Sequence, residues 1–186
     1  PVLTLKLLLP VGAADDPDNR HGLAALTADI LDEGTCQLTD VDLHKALTRI
    51  GAHLGIVVSR DATTLTLTTL AKHARAAIAL LLDVVAHPRL SSDDIARVRD
   101  LRCNRILQMR QVPSAVADRV FMKSVYGSHP YGHLSIGTHK ALSEIDASTV
   151  TEFHSRCYQA TGWTLVAVGD LPHDTLHETV KSEVER

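Results

Sequence analysis

The sequence predicts an α+β fold: an antiparallel β-sheet with helices packed on one face. Three observations predict it. The amino-terminal residues alternate between apolar and polar, as a half-buried strand does. Two further alternating runs, rich in β-branched residues, are separated by a short turn and read as a hairpin. Long blocks with helical period lie outside these runs, so strands and helices are segregated.

Leu3, Leu5, Leu7 and Leu9 give the first strand one strongly apolar face. The polar run 15–19, Asp-Asp-Pro-Asp-Asn, is a turn. A helix is expected over 22–32, closed by Gly34. Thr39 or Asp40 can cap a second helix that reaches Ile50 and ends at Gly51. Residues 53–59 and 63–70 form the hairpin, turning at 60–62. An apolar helix over 73–85 stops before Pro88. Ser91-Ser92-Asp93-Asp94 is a helix start, and that helix is expected to reach Gln111. Pro113 breaks it and opens another, to Tyr126. The loop 127–132 is dense in turn residues. Short helices over 138–143 and 146–158, a strand over 163–168 and a last helix over 171–185 complete the chain. There is no internal repeat and no low-complexity segment.

With 186 residues and 45% apolar composition, the chain is expected to build one core and one domain, spanning 1–186. It begins at Pro1 without Met and ends in a charged helix, which reads as a piece of a longer polypeptide. A net charge of −3 disfavours nonspecific nucleic-acid binding, and 3% aromatics disfavour base stacking. No apolar run reaches the roughly 18 residues of a membrane span. Cys36, Cys103 and Cys157 are far apart and read as separate thiols. Nothing distinguishes a bacterial periplasmic from a cytoplasmic location.

The most informative stretch runs from His21 to Thr35. In the pattern His-x-x-Glu-His, two histidines at i and i+4 share one helical face and reach one metal ion. The glutamate between them can activate a metal-bound water. The stretch resembles the corresponding helix of the pitrilysin/insulinase family, which includes the mitochondrial processing peptidases. Gly22, Leu23 and Ala24 match before the motif, and Gly34 and Thr35 match after it, at the family's spacing. Three further segments resemble the family in the same order. They are the helix ending at Leu47 and Gly51, the run His129-Pro130-Tyr131-Gly132 with Gly137, and Val-Ala-Val-Gly-Asp at 166–170. The resemblance implies a LuxS/MPP-like metallohydrolase fold.

The motif itself is degenerate. Ala25 stands at the first histidine, Ala28 at the glutamate and Asp29 at the second histidine. The resemblance places a third ligand, a glutamate, on a later helix, where this chain has Asn104 or Arg105. Methyl groups have no lone pairs, and a guanidinium does not ligate zinc at neutral pH. One aspartate falls short of the usual three protein ligands. If Asp29 points to where the metal would sit, Arg105 or Arg102 can meet it there as an ion pair replacing the zinc. Otherwise Asp29 is simply solvated.

The resemblance therefore implies a catalytically inactive domain of a zinc protease. It would form part of a peptide-binding chamber with an active, zinc-bearing copy of the same fold, as a domain or a subunit. No cofactor is expected in this domain, and zinc only in the partner. A purely structural, core-protein-like subunit is a second reading. An unrelated α+β enzyme using the His129 and His133 loop is a third. His173 and His177 are expected to be surface histidines, and the arginines at 97, 99, 102, 105 and 110 a solvated, ion-paired helix face.

Overall fold

In the computed structural model, which describes residues 1–185, four strands form one antiparallel sheet. They are β1 (Val2–Leu9), β2 (His53–Val58), β3 (Thr63–Leu70) and β4 (Thr164–Gly169), in the order β2-β3-β1-β4. The period-2 pattern of β1 decides which face is buried. Leu3, Leu5, Leu7 and Leu9 point into the core, while Lys6 between them is exposed. The register aligns like with like: Leu5 stands opposite Leu67 of β3 and Ala167 of β4, and Leu7 opposite Leu65 and Leu165. Each fully buried leucine contributes about 2 kcal/mol of burial free energy.

The helices are α1 (Leu23–Ile30), α2 (Asp40–Arg49), α3 (Ala74–Ala86), α4 (Ser92–Met109), α5 (Pro113–Tyr126), α6 (His139–Ser143), α7 (Ala147–Cys157) and α8 (His173–Val184). Their order matches the expected one, with ends shifted by a residue or two. At the first helix, expected to reach residue 32, the type of helix also changes. α1 stops at Ile30, and Leu31–Glu33 tighten into a 3-10 turn before Gly34. The three cysteines are separate free thiols. Among the described residues no helix is long and apolar enough to cross a membrane.

α1 lies at the centre of the packing, against α4, α7 and β2. All but one of its residues are buried, and the exception is Asp29. Capping fixes where the helices begin. Thr39 accepts from the Asp42 amide, Ser91 from the Asp94 amide, and Asp146 from the Thr149 amide. The hydroxyl and amide of Thr149, with the Ser148 hydroxyl, hold the Asp146 carboxyl down to about 2. A depressed carboxyl stabilises the fold above its ordinary range and loses that contribution as pH falls. Thermal melts between about pH 5 and pH 2 test this, since the ordinary value is near 4. The parent is expected to lose more Tm across that window than Asp146→Ala does; equal losses would remove Asp146 from the acid transition.

Candidate functional site

The site is assembled from the two ends of α1 and one face of α4. At the amino end, Asp16 comes from the polar turn before the helix. Its side chain is fully buried. One carboxylate oxygen accepts from the Gly22 amide at 2.6 Å, and the other from the Ala24 amide at 2.7 Å. The first turn of a helix leaves its amides without partners, and a carboxylate there satisfies them and meets the positive end of the helix dipole. His133 Nε2 lies 3.1 Å from the same carboxylate, and its ring stacks on His21 with centroids 4.0 Å apart. Burial, and then the neighbouring His133, hold the His21 imidazole below its ordinary range.

The same junction depends on two glycines. Gly22 and Gly137 both have positive φ, 102° and 82°. They touch backbone to backbone, and a Cβ on Gly137 would run into the His21 carbonyl. That contact holds the loop before α6 against the start of α1, and places Ile136 at the cleft described next.

At the carboxyl end of α1, a cleft of about 370 Å³ opens between α1, α4 and the edge strand β2. Ala28, Asp29 and Asp32 line one side, Leu101, Arg102 and Arg105 the other, and Ile56 of β2 the floor. Ala25 and Ala28 are buried methyls. Arg102 reaches across from α4. Its Nε donates to the Asp29 carboxylate at 3.1 Å and its Nη2 to the same carboxylate and to the Ala25 carbonyl, the latter at 3.1 Å. The guanidinium is 12% exposed and Asp29 48% exposed. A half-exposed pair of this kind contributes no more than about 1 kcal/mol after screening. It does fix the position of a cation over the two alanines.

Of the two arginines that could meet Asp29, Arg105 and Arg102, it is Arg102, one turn earlier, that makes the ion pair. The offset between the helices is the reason. α4 runs past α1 so that Arg97 stands level with Glu33, with which it pairs, and Arg102 level with Asp29. Arg105 lies farther along and lines the cleft without a hydrogen bond or ion pair among the described residues. Asn104, the alternative third-ligand position, is exposed and is not part of the cleft lining. Among the described residues Asp32 has no cation within ion-pair distance. Burial, with Glu33 and Asp29 nearby, pushes its carboxyl up from the ordinary value.

These donors do not fit a divalent metal. At the motif positions two methyls offer nothing and the Asp29 carboxylate is already held by a guanidinium; of the other carboxylates lining the cleft, Glu33 is paired with Arg97 and Asp32, among the described residues, stands alone. Among the described residues no group of three or more His, Cys, Asp or Glu side chains is placed to hold a metal ion.

The histidine loop is tied to other partners. His129 Nδ1 accepts from the Tyr131 amide at 3.1 Å. Tyr131 donates its hydroxyl to Asp61 at the hairpin tip, which raises the phenol above its ordinary range. Arg60 donates to the Tyr131 carbonyl at 2.7 Å and lies over the Tyr126 and Tyr131 rings. His133 faces the opposite way, to Asp16. The two histidines are thus parts of two latches, one to the hairpin and one to α1. His173 and His177 stack on the exposed surface of α8. Of the arginine face, Arg97, Arg99 and Arg102 are ion-paired, whereas Arg105 and Arg110 have no such partner among the described residues.

Sequence reasoning missed the anchoring by Asp16 and His133. Nothing local marks Asp16 among its polar neighbours, and its histidine partner is 117 positions away. The helical period would have excluded Asn104, which falls on the side of α4 opposite the row Ile95, Val98 and Ile106.

The model of the insulinase family (peptidase family M16) matches residues 1–139. An uncharacterized zinc protease of Mycobacterium leprae is 25% identical over 171 residues, which is 92% of this chain and 38% of that one. The chain therefore spans about two fifths of that relative's length. Among solved structures, the inactive domain of a peptidase M16 from Pseudomonas fluorescens superimposes with a TM-score of 0.92 at 27% identity, over all of this chain and 45% of that one. A protease from Helicobacter pylori has the same fold, with a TM-score of 0.93 at 21% identity, over 99% of this chain and 45% of that one.

Proposed function

The chain belongs to the insulinase family of peptidases, M16, and on that premise we propose that it is a non-catalytic copy of the peptidase fold. It works beside an active, zinc-bearing copy, either in the same polypeptide or as a separate subunit, and forms part of the wall of a peptide-binding chamber. The observation that carries this reading is the Arg102 guanidinium, clasped between Asp29 and the Ala25 carbonyl. A positive charge in that place repels a divalent cation and takes up the Asp29 carboxylate, the one side-chain oxygen donor left at the three motif positions of α1. Without an ion to lower the pKa of a water, the domain has no means of generating hydroxide. The likeness to a Pseudomonas fluorescens domain described as inactive supports the same assignment.

What remains is shape and backbone. β2 is an edge strand, and Ile56 on it lines the cleft. An edge strand offers unpaired amides and carbonyls to an extended peptide. That is a binding property, and it needs no metal.

The test is peptide cleavage by the purified chain, alone and mixed with an intact M16 partner, with zinc and with chelator. No turnover is expected from the chain alone at any zinc concentration, and chelator-sensitive turnover from the mixture. Zinc-dependent cleavage by the chain alone would overturn the assignment.

A further inference from the structure

More than half of the large hydrophobic side chains exposed by the described residues lie between positions 101 and 126, on the second half of α4 and on α5. α5 has no buried residue at all. Its main neighbour is the turn at Pro130–Gly132, which covers only one side of it. Val116 and Val120 stack at i and i+4, as do Phe121 and Val125, and all four are exposed, Phe121 to 62%. Together they make a broad, exposed apolar arc on α5. Monomeric proteins rarely leave such a patch open, and contiguous ones mark interaction sites.

Charge separates this segment from the rest of the chain. The protein is weakly acidic, with a net charge of −3. Between residues 101 and 126, however, five cationic side chains stand against a single acidic one, Asp118. Arg102 is neutralised by Asp29, and Lys123 donates to the Gly127 carbonyl. Arg105, Arg110 and Arg119 make no hydrogen bond or ion pair among the described residues. Arg119 and Lys123 fall beside Val116 and Val120 on the helix, since residues three and four apart share a face. The apolar arc thus has cations along its Val116 and Val120 edge, while Asp118 lies beside Phe121 and Val125 on the other edge.

We propose that α5, with the adjoining end of α4, is a docking surface for an acidic polypeptide segment that presents apolar anchors, an amphipathic acidic helix being the simplest form. The valines and Phe121 supply buried apolar area, and the arginine border selects the sign of the partner and speeds its approach. The proposal does not rest on the peptidase-chamber reading. It concerns α5 and the end of α4 beyond Leu101 and Arg105, which line the cleft, and it holds whether or not the cleft takes part in proteolysis.

The experiment uses fluorescence anisotropy with two designed helical peptides. Both carry leucine at the apolar positions; one carries glutamate at the remaining positions and the other lysine. The glutamate peptide is expected to bind at least about tenfold more tightly than the lysine peptide, and to weaken as salt is raised. Val120→Ser with Phe121→Ser is expected to weaken it about tenfold or more. Arg110→Glu with Arg119→Glu is expected to abolish or invert the charge preference. All four positions lie on the outer surface, and circular dichroism confirms that the variants fold. Equal binding of the two peptides, no binding of the glutamate peptide, or unaltered affinity in both variants would each overturn the proposal. So would reversible dimerisation through these residues in sedimentation, which would give the surface to a second copy. Tighter binding to phosphatidylserine vesicles than to the glutamate peptide would assign it to lipid and overturn it equally.

Discussion

Asp16→Ala is expected to lower the unfolding free energy by about 3 kcal/mol or more, the largest loss predicted for any single polar residue of this domain. The carboxylate is fully buried and satisfies two amides of α1, those of Gly22 and Ala24. Alanine would leave both donors buried without an acceptor, and each such orphan costs about 1 to 3 kcal/mol. It would also cut His133 loose from the start of α1. Asp16→Asn keeps one carbonyl oxygen and is expected to lose about half as much. Urea unfolding measures both, and an unchanged m-value would show that the native state has been weakened rather than the unfolded one altered. A loss below about 1 kcal/mol for Asp16→Ala would mean that solvent or the helix itself satisfies those amides.

The same junction gives a pH signature. His21 is held below its ordinary imidazole range, so its neutral form belongs to the folded state. The stabilisation linked to it is complete above about pH 6.5 and declines as pH falls through the lowered value.

The strands were legible because each carries its own signal. β1 sets Leu3, Leu5, Leu7 and Leu9 on one face with Thr4 and Lys6 between them, and β3 sets Leu65 and Leu67 among threonines, so each strand declares its buried face without reference to the other. Helix ends were legible where a capping side chain or a proline stands, as at Ser91 and Pro113. Two features were not. The choice between Arg102 and Arg105 as the partner of Asp29 depends on how far α4 slides along α1. Both arginines lie on the face of α4 turned toward the cleft, and only the packing of Ile95, Val98 and Ile106 against the core sets the offset. The exposure of α5 was equally hidden. Val116, Val120, Phe121 and Val125 have helical spacing, and sequence period cannot say whether an apolar face is covered by its own chain. In both cases the missing information is tertiary: a translation between two helices, and the absence of a neighbour.

That translation supports the strongest test of the site. A fourfold variant, Ala25→His, Ala28→Glu, Asp29→His and Arg102→Glu, is expected to bind one zinc or cobalt ion per chain with submicromolar affinity, where the parent binds neither at this cleft. Residues 25 and 29 are one helical turn apart and share a face. The Arg102 guanidinium already touches both turns, at the Asp29 carboxylate and the Ala25 carbonyl. A glutamate is shorter than an arginine, and a metal–oxygen bond of about 2.1 Å makes up the missing length. The control moves the third ligand and restores the arginine. With the α1 substitutions kept, a glutamate placed at position 104 or 105 leaves Arg102 in the cleft, and Asn104 points away from it. Those versions are expected to bind at least about tenfold more weakly, because two histidines and a nearby cation make a poor site. Calorimetry gives the affinity, and the visible spectrum of bound cobalt reports tetrahedral ligands. Affinity that does not depend on which α4 residue carries the glutamate would show that Arg102 does not stand at the metal position. Metal binding confined to the variant that includes Arg102→Glu would show that the peptidase frame is intact, and that four side chains separate this domain from a metal-binding one.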